Sequence, residues 1–351
     1  MSILNSIPLE IVGPSSWRGD DLQKRKSEWL VLLSNEQISE LEKAALNYLD
    51  LGKDVGEITK EEFPLPNFSK NLALLADKLI NGLGVEVLRG LPVADYSEKM
   101  AATIFCGIGA HLGSARSQNS DGHILGHVRD LGLDSTDPKV RIYQTSERQS
   151  FHTDSSDVVA LMCLKDAKEG GDSLLVSVET IYNEMRKNRP DLLELLFEPI
   201  ATDRRGEIPQ NMKPYMTIPP LNWHCQKLTV FYQRQYIDSA QRFSTAKRLT
   251  EKHIQALDYF DKVANDPLLF IKMRLLPGDM QFVYNHSQLH DRTGFLDWDD
   301  KDKKRHLFRL WLSLPNDRSL PDCFKQRYGS IEVGNRGGII TTYSKLCAPL
   351  C

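Results

Sequence analysis

Apolar residues recur at helical spacing through the first third of the chain. Residues 34–37, with the sequence Ser-Asn-Glu-Gln, have the pattern of a capping box, and the apolar positions after them return every three or four residues. The same spacing predicts a helix over 72–83, which glycines at 82 and 84 would end, and a third helix over 97–112. A short apolar run at 85–88 predicts a strand between them.

From about residue 140 the pattern changes to runs of β-prone residues and alternation with a period of two, which is typical of strands. The predicted strands cover residues 140–144, 158–164, 173–177, 227–232, 271–275, 280–284 and 306–312. Paired glycines in 168–172 predict a tight turn, so the strands on either side of it are expected to form a hairpin-like unit. Further helices are predicted over 179–188, 190–197 and 250–263, and loops over 131–137 and 213–222.

This order of helices, strands, inserted helices and strands predicts a fold that is mainly β with α, a double-stranded β-helix (jelly-roll) barrel clad by helices. No internal repeat or low-complexity linker divides the chain, so we predict a single domain over 1–351. Within it we expect a helical N-terminal part over about 1–138, a barrel over about 139–315, and a C-terminal extension over 316–351.

Composition excludes several classes of protein. The 351 residues are 41% hydrophobic, enough for a sizeable core, and a net charge of −3 provides no basic footprint for nucleic acid. No apolar run reaches the roughly 18 residues that span a bilayer, and residues 1–13 lack the pattern of a signal peptide. The six cysteines form no Cys-x-x-Cys motif and are expected to be thiols, not bridges. We therefore predict a cytoplasmic protein without membrane or nucleic-acid partners; its oligomeric state is not readable from the sequence.

The candidate chemistry lies in a His-x-Asp tripeptide and a distant histidine. His152 and Asp154 stand two residues apart, so they would project from the same face of one strand or strand end. Downstream, either His286 or His290 fits as a partner on spacing alone. Two imidazoles and one carboxylate are the protein ligands of a facial-triad Fe(II) site, which leaves positions open for a cosubstrate and O₂. Each piece taken alone is more often an ordinary polar group than a ligand.

Two arginines at the last predicted strand also indicate that the protein binds carboxylic acids. Arg305, Arg309 and Ser313 share one strand face by the period of two. Buried arginines are costly unless anions meet them. Acidic side chains of residues 297–302 are one possible source of those anions, and the carboxylates of bound organic acids are the other.

Together these residues resemble the taurine dioxygenase-like (TauD/TfdA) family of Fe(II)/2-oxoglutarate oxygenases. The family pattern is a His-x-Asp, a Gly-Gly-Asp-Thr/Ser turn, a distal histidine, and Arg-x-x-x-Arg near the end. In this chain it reads His152-Thr153-Asp154, then Gly170-Gly171-Asp172-Ser173, then His290, then Arg305-His306-Leu307-Phe308-Arg309. A charged segment over 297–304 separates the last two motifs and is longer than in the shortest relatives.

The resemblance implies a role for each motif residue. His152, Asp154 and His290 would ligate iron and carry catalysis. Arg309 would pair with the distal carboxylate of the cosubstrate 2-oxoglutarate, and Ser173 would donate a hydrogen bond to the same group. Arg305 matches a position that in some relatives contacts an anionic substrate.

The implied activity is oxidation by O₂ of an unactivated C–H bond in a small, carboxylate-bearing molecule, with an amino acid as the favoured candidate. Hydroxylation, desaturation or ring closure would accompany the release of succinate and CO₂. Two alternatives remain open on sequence alone. One is a metal-dependent jelly-roll enzyme that does not use 2-oxoglutarate, and the other is a catalytically silent binding protein. No motif marks the substrate pocket. Polar or aromatic residues on segments expected near the site are candidates for it, although each such residue is more often structural: Gln118, Asn119, Tyr143, Tyr232 and Arg234.

Overall fold

The computed structural model describes residues 3–134, 140–209, 211–339 and 344–350. The strands of these residues, in chain order, are β1 Leu30–Leu32, β2 Val85–Arg89, β3 Ser114–Arg116, β4 Leu125–Val128, β5 Gln149–His152, β6 Val158–Lys165, β7 Glu169–Gly170, β8 Ser173–Ser177, β9 Ile200–Asp203, β10 Tyr215–Ile218, β11 Leu221–His224, β12 Lys227–Val230, β13 Phe270–Met273, β14 Met280–Tyr284, β15 Gln288–Arg292, β16 Phe295–Leu296 and β17 His306–Ser313. Their α-helices are α1 Gly19–Leu22, α2 Asn35–Asp50, α3 Ser69–Asn81, α4 Glu98–Leu112, α5 Val178–Asn188, α6 Pro190–Leu193, α7 Arg234–Ala240, α8 Glu251–Ala264 and α9 Lys325–Tyr328.

Two sheets form the centre of the fold. The larger has the order β1-β2-β14-β6-β17-β3, with β4 also paired to β17, and the smaller has the order β13-β8-β15-β5. Every pairing in them is antiparallel except that of β1 with β2. Apolar side chains of both sheets meet between them in one buried cluster, which includes Val87, Leu175, Ile271, Val283 and Leu307. The two sheets therefore pack face to face, as in a jelly roll.

Helices cover the outer faces of both sheets. On the larger sheet, alternate residues of β6 such as Ala160 and Met162 pack against α2, α3 and α4 through side chains such as Leu41 and Phe105. On the smaller sheet, Val176 of β8 faces outward into a second cluster with α5 and α8. The predicted fold class, a jelly roll clad by helices, is confirmed. The domain boundaries stay a prediction.

Most predicted elements form close to their predicted bounds. The capping box is present, since Gln37 N donates to Ser34 Oγ and Ser34 N donates to Gln37 Oε1, and α2 begins at the next residue. The helices predicted over 72–83 and 97–112 are α3 and α4. In the described part of the chain no helix is both long enough and apolar enough to cross a membrane. Five of the six cysteines lie in the described residues, and all five are free thiols, as predicted. Cys225 is the exposed one among these five, and Cys351 lies outside the described residues.

Three local predictions were wrong. Residues predicted as a strand over 140–144 instead form a 3-10 turn at Ile142–Gln144, and the predicted loop over 213–222 contains β10 and the first half of β11. The hairpin-like unit is also absent among the described strands, because β6 lies in the larger sheet and β8 in the smaller. The glycine turn thus connects two facing sheets. Of the loop predicted over 131–137, residues 135–137 lie outside the described residues.

Candidate metal centre and active site

Strand pairing brings the two predicted histidines together. His152 ends β5 and lies directly opposite His290 of β15 in the antiparallel register, with ring centroids 4.1 Å apart. Asp154 follows two residues after the end of β5. Its backbone is held by Asn285, whose Oδ1 accepts from Asp154 N at 3.0 Å and whose amide nitrogen donates to Asp154 O. The three side chains therefore converge between the sheets.

The distances within this cluster suit a single ion. Asp154 Oδ1 lies 3.9 Å from His152 Nε2, and Asp154 Oδ2 lies 3.7 Å from His290 Nε2. One ligand atom from each of the three residues lies within 4.8 Å of the others. His152 Nδ1 donates to Ser150 O at 2.8 Å, which directs the lone pair of the neutral ring to Nε2. The donor set and its convergence fit Fe(II) bound by a facial triad.

Electrostatics keep these groups in the protonation states that a metal requires. Burial lowers the pKa of His152 to about 3, so its ring is neutral near pH 7. Burial acts to raise the pKa of Asp154, but Arg309 and the two histidines outweigh it and hold that pKa well below its usual range. Asp154 Oδ2 also accepts from Trp311 Nε1 at 2.8 Å and from Arg309 Nη1 at 3.2 Å.

Two adjoining cavities meet at Asp154. The inner cavity lies between the sheets, and its lining includes His152, His290, Ser173, Gln281, Arg292 and Arg305. The outer cavity lies toward α7 and α9, and its lining includes Arg141, Ser155, Gln233, Tyr236, Trp311 and Arg327. Tyr143, Gln149, Asp154 and Arg309 line both. A metal at the triad would face both cavities.

The inner cavity ends at two buried arginines without ion-pair partners. Arg305 is 5% exposed and Arg292 is 7% exposed, and neither forms an ion pair with any described residue. Arg305 Nη1 has no hydrogen-bond partner, nor do Arg292 Nε and Nη1. Burial and the neighbouring Arg305 lower the pKa of Arg292 to about 9. Since unpaired buried charges are costly, this end of the cavity is built for an anion.

The glycine turn of the family motif supports this end of the cavity. Gly170 and Gly171 both adopt positive φ, 72° and 68°. A Cβ atom on Gly171 would lie 2.9 Å from Arg305 Nε. The turn therefore requires glycine both for its backbone conformation and for the close approach of the arginine.

Arg309 has different surroundings. Its Nε donates to Gln118 Oε1 at 2.7 Å, and Gln118 Nε2 donates to Arg309 O at 2.8 Å. Its guanidinium lies over the rings of Tyr143 and Trp311, at 4.6 and 5.0 Å from their centroids. Arg309 is thus fixed beside Asp154, at the boundary of the two cavities.

His286, the alternative ligand, lies elsewhere. Its Nε2 is 2.8 Å from Asp157 Oδ1 and 3.7 Å from Asp317 Oδ2. Arg336 bridges the same two carboxylates, with Nε 2.7 Å from Asp157 Oδ1 and Nη2 2.8 Å from Asp317 Oδ2. The cluster is fully buried and already charge-paired, so it acts as a structural network. It also ties the C-terminal segment to β17 through Ser313 Oγ, which accepts from Arg336 N.

Of the five residues considered for the substrate pocket, the structure brings two to the site. Gln118 and Tyr143 both contact Arg309. Tyr232 is buried and donates its hydroxyl to Asp261, Arg234 is paired with three aspartates, and Asn119 organises a turn with His123. Sequence reasoning missed Trp311 and Arg292. Their only signal was position, since Trp311 lies two residues from Arg309 on the same strand face and Arg292 lies two residues from His290.

A jelly roll with two histidines and a carboxylate converging between its sheets defines a class, the non-haem iron oxygenases. The comparisons identify the family. Residues 47–311 match the model of the "Taurine catabolism dioxygenase TauD, TfdA family". The chain belongs to this family, and it is an Fe(II)- and 2-oxoglutarate-dependent dioxygenase.

Relatives of known sequence support the assignment across most of the chain. FR-33289 synthase from Streptomyces rubellomurinus is 32% identical over 318 residues, covering 89% of this chain and 92% of that protein. The taurine hydroxylase-like protein SAT17 from Stachybotrys chartarum is 30% identical and covers 84% of this chain and 77% of its own length.

Solved structures share the fold at low sequence identity. An asparagine oxygenase in complex with Fe(II), 3-hydroxyasparagine and succinate superposes with a TM-score of 0.64 at 17% identity, covering 81% of this chain and 93% of that one. The non-heme iron oxygenase OrfP in complex with Fe and alpha-ketoglutaric acid superposes with a TM-score of 0.59 at 14% identity, covering 81% and 93%.

Proposed function

We propose that His152, Asp154 and His290 hold the iron. The observation that carries the proposal is their convergence, with one ligand atom from each within 4.8 Å, at the junction of two cavities. Trp311 and Arg309 act as positioning residues, because both donate to Asp154 Oδ2 and so fix the carboxylate.

We infer that the cosubstrate occupies the inner cavity, with its distal carboxylate on Arg305 and Ser173. The family resemblance implied Arg309 for this role and Arg305 for the substrate, whereas the geometry favours the reverse. Arg305 lines only the inner cavity, lies against the Gly170-Gly171 turn that leads into Ser173, and has an unpartnered Nη1. A planar guanidinium can bind a carboxylate through two parallel hydrogen bonds.

Arg309 then becomes available to the prime substrate. It lines both cavities and lies beside Asp154, so an anion bound to it would be held next to the metal. We propose a small carboxylate-bearing substrate, with an amino acid as the favoured candidate. Two observations support that choice: the outer cavity adjoins Arg309, and the solved structures of similar fold include complexes with hydroxylated asparagine and arginine.

When bound, iron, 2-oxoglutarate and O₂ supply an oxidant able to remove hydrogen from an unactivated C–H bond, with release of succinate and CO₂. The protein positions and shields the reactants. Val159, Leu161 and Leu307 form an apolar wall of the inner cavity, which excludes water from the cosubstrate. Arg309 orients the substrate's carboxylate relative to the triad, so the C–H bond that faces the metal is selected by distance from that carboxylate. Hydroxylation, desaturation and ring closure are all compatible with this arrangement.

The proposal is tested by succinate release from 2-oxoglutarate with a panel of amino acids and small carboxylates. We expect turnover above the background of 2-oxoglutarate alone with at least one carboxylate-bearing compound, and its loss in Arg309→Gln. Stimulation only by compounds that lack any anionic group would contradict the proposed substrate class. We further propose a cytoplasmic location and a small molecule as the partner.

A further inference from the structure

The outer cavity contains more cationic than anionic side chains. Arg141, Arg309 and Arg327 line it, and among the described residues the only acidic side chain of its lining is Asp154. Arg141 is paired with Glu207 from outside the lining, and Arg309 is paired with Asp154. Arg327 forms no ion pair with any residue that the structure describes.

Arg327 is held in place without being neutralised. It belongs to α9, and its Nε donates to Ser155 Oγ, one residue beyond Asp154. Burial and the neighbouring Arg141 both lower its pKa, while Glu207 only partly offsets them. Burial and Arg327 likewise lower the pKa of Arg204 to about 10, so a second buried arginine lies close to Arg327.

Metal binding increases this excess of positive charge. Once iron is bound at the proposed triad, the negative charge of Asp154 is shared with the metal and neutralises less of the positive charge of Arg309. The substrate carboxylate placed on Arg309 under the proposed function then leaves Arg327 as a second cation without an ion-pair partner of its own, since Glu207 pairs with Arg141. Tyr236 and Gln233 line the same cavity and add neutral hydrogen-bonding groups.

We propose that the substrate carries a second oxyanion, a carboxylate, phosphonate or phosphate, which binds Arg327 with Arg141 in the outer cavity. This inference rests on the proposed function and names its substrate class more closely. A substrate with one carboxylate and a free ammonium group would find no acid in the described lining except the metal ligand Asp154. Among amino acids, those whose side chain carries a second acidic group therefore suit this cavity best.

The test uses the whole protein loaded anaerobically with Fe(II) and saturated with 2-oxoglutarate, so that the inner cavity is filled. Calorimetric titration compares four series of three- to six-carbon compounds: unsubstituted carboxylates, ω-amino carboxylates, dicarboxylates and ω-phosphonocarboxylates. We expect at least one dianion to bind tenfold or more tightly than both the unsubstituted and the amino compound of the same length, about 1.4 kcal/mol. The series that wins identifies the oxyanion.

Arg327→Gln provides the decisive variant and Arg189→Gln its matched control. Arg189 is a partly exposed arginine paired with Asp191, so its substitution changes the net charge equally without touching either cavity. We expect Arg327→Gln to reduce the advantage of the dianion to threefold or less, and Arg189→Gln to leave it unchanged. Equal weakening of mono- and dianions by Arg327→Gln would overturn the inference.

Failure of this inference and failure of the proposed function give different results. A wild-type protein that binds Fe(II) and 2-oxoglutarate but prefers no dianion overturns only the second oxyanion site. A wild-type protein that does not bind 2-oxoglutarate overturns the proposed function, and the substrate inference with it. Thermal unfolding curves of Arg327→Gln and Arg189→Gln show whether both variants are folded at the temperature of the titrations.

Discussion

Arg305→Gln should abolish most of the affinity for 2-oxoglutarate while leaving the empty protein stable. In the folded protein Arg305 is 5% exposed and has no ion-pair partner among the described residues. Each hydrogen bond to a charged group contributes roughly 1.5–3 kcal/mol. Loss of a two-bond carboxylate contact therefore costs about 3 kcal/mol or more, which weakens binding roughly 100-fold.

The stability of the empty protein should respond differently. Because a buried charge without a partner carries an uncompensated desolvation cost, its removal should lower the free energy of unfolding by no more than about 1 kcal/mol. Arg305→Lys keeps the charge but not the planar fork, so its affinity should lie between those of wild type and Arg305→Gln.

The assay is anaerobic titration of the Fe(II) protein with 2-oxoglutarate, followed by the visible charge-transfer band of the complex. Arg309→Gln is the matched comparison, because Arg309 lies in β17 four residues after Arg305. Its dissociation constant for 2-oxoglutarate should stay within about threefold of wild type, well below the effect of a lost charged contact. Wild-type affinity in Arg305→Gln together with a large loss in Arg309→Gln would refute the reasoning and restore the assignment that the family resemblance implied.

Three further predictions concern iron binding, the glycine at position 278 and the stability of the protein in acid. Trp311→Phe removes the donor to Asp154 Oδ2 and should weaken Fe(II) binding by about 10–100-fold in a metal-competition assay, whereas unchanged affinity would exclude the positioning role. Gly278→Ala should lower the midpoint of urea unfolding markedly or prevent folding, because Gly278 has φ of 91° and a Cβ there would meet Leu91 O at 1.9 Å. Burial, and then His127, lower the pKa of His306 to about 3, below the roughly 6.5 of an unfolded histidine. The unfolded state therefore binds the proton first, and stability is lost as pH falls from about 6.5 toward 3; His306→Gln should reduce that slope by about one proton in urea titrations at several pH values.

Local sequence signals were sufficient to predict most individual elements. The helix over 34–50 begins at its capping box, and the strands at 158–164 and 280–284 form where β-prone apolar runs predicted them. Strand periodicity singled out His152 and Asp154, and only the order of the family's motifs favoured His290 over His286; their role as iron ligands stays a prediction.

Strand partners were not predictable from local pattern. The turn at 168–172 was expected to join paired strands, but β6 and β8 belong to opposite sheets, because sheet membership depends on distant segments such as β14 and β15. The loop predicted over 213–222 was wrong for a different reason, because three prolines suggested that no strand forms there. In the structure these prolines lie outside the strand interiors: Pro214 precedes β10, and Pro219 and Pro220 separate β10 from β11.

The proposed distribution of roles between the two arginines also rests on the fold. Alternation correctly directed Arg305 and Arg309 toward the interior, but it carried no information about which cavity each lines. That depends on Asp154, Gln118 and Tyr143, which lie far from Arg309 in the sequence and surround it in the structure. Arg305 instead packs against the turn at Gly171, which connects the two sheets.

The most direct test of the central claim is iron binding by single-residue variants of the two buried histidines. His290→Ala should lose most Fe(II) binding and show no charge-transfer band with 2-oxoglutarate. His286→Ala should keep both when folded, although its free energy of unfolding should fall because Asp157 and Asp317 lose a buried partner. Retention of stoichiometric Fe(II) and of the band in His290→Ala, with their loss in folded His286→Ala, would contradict the proposed metal centre.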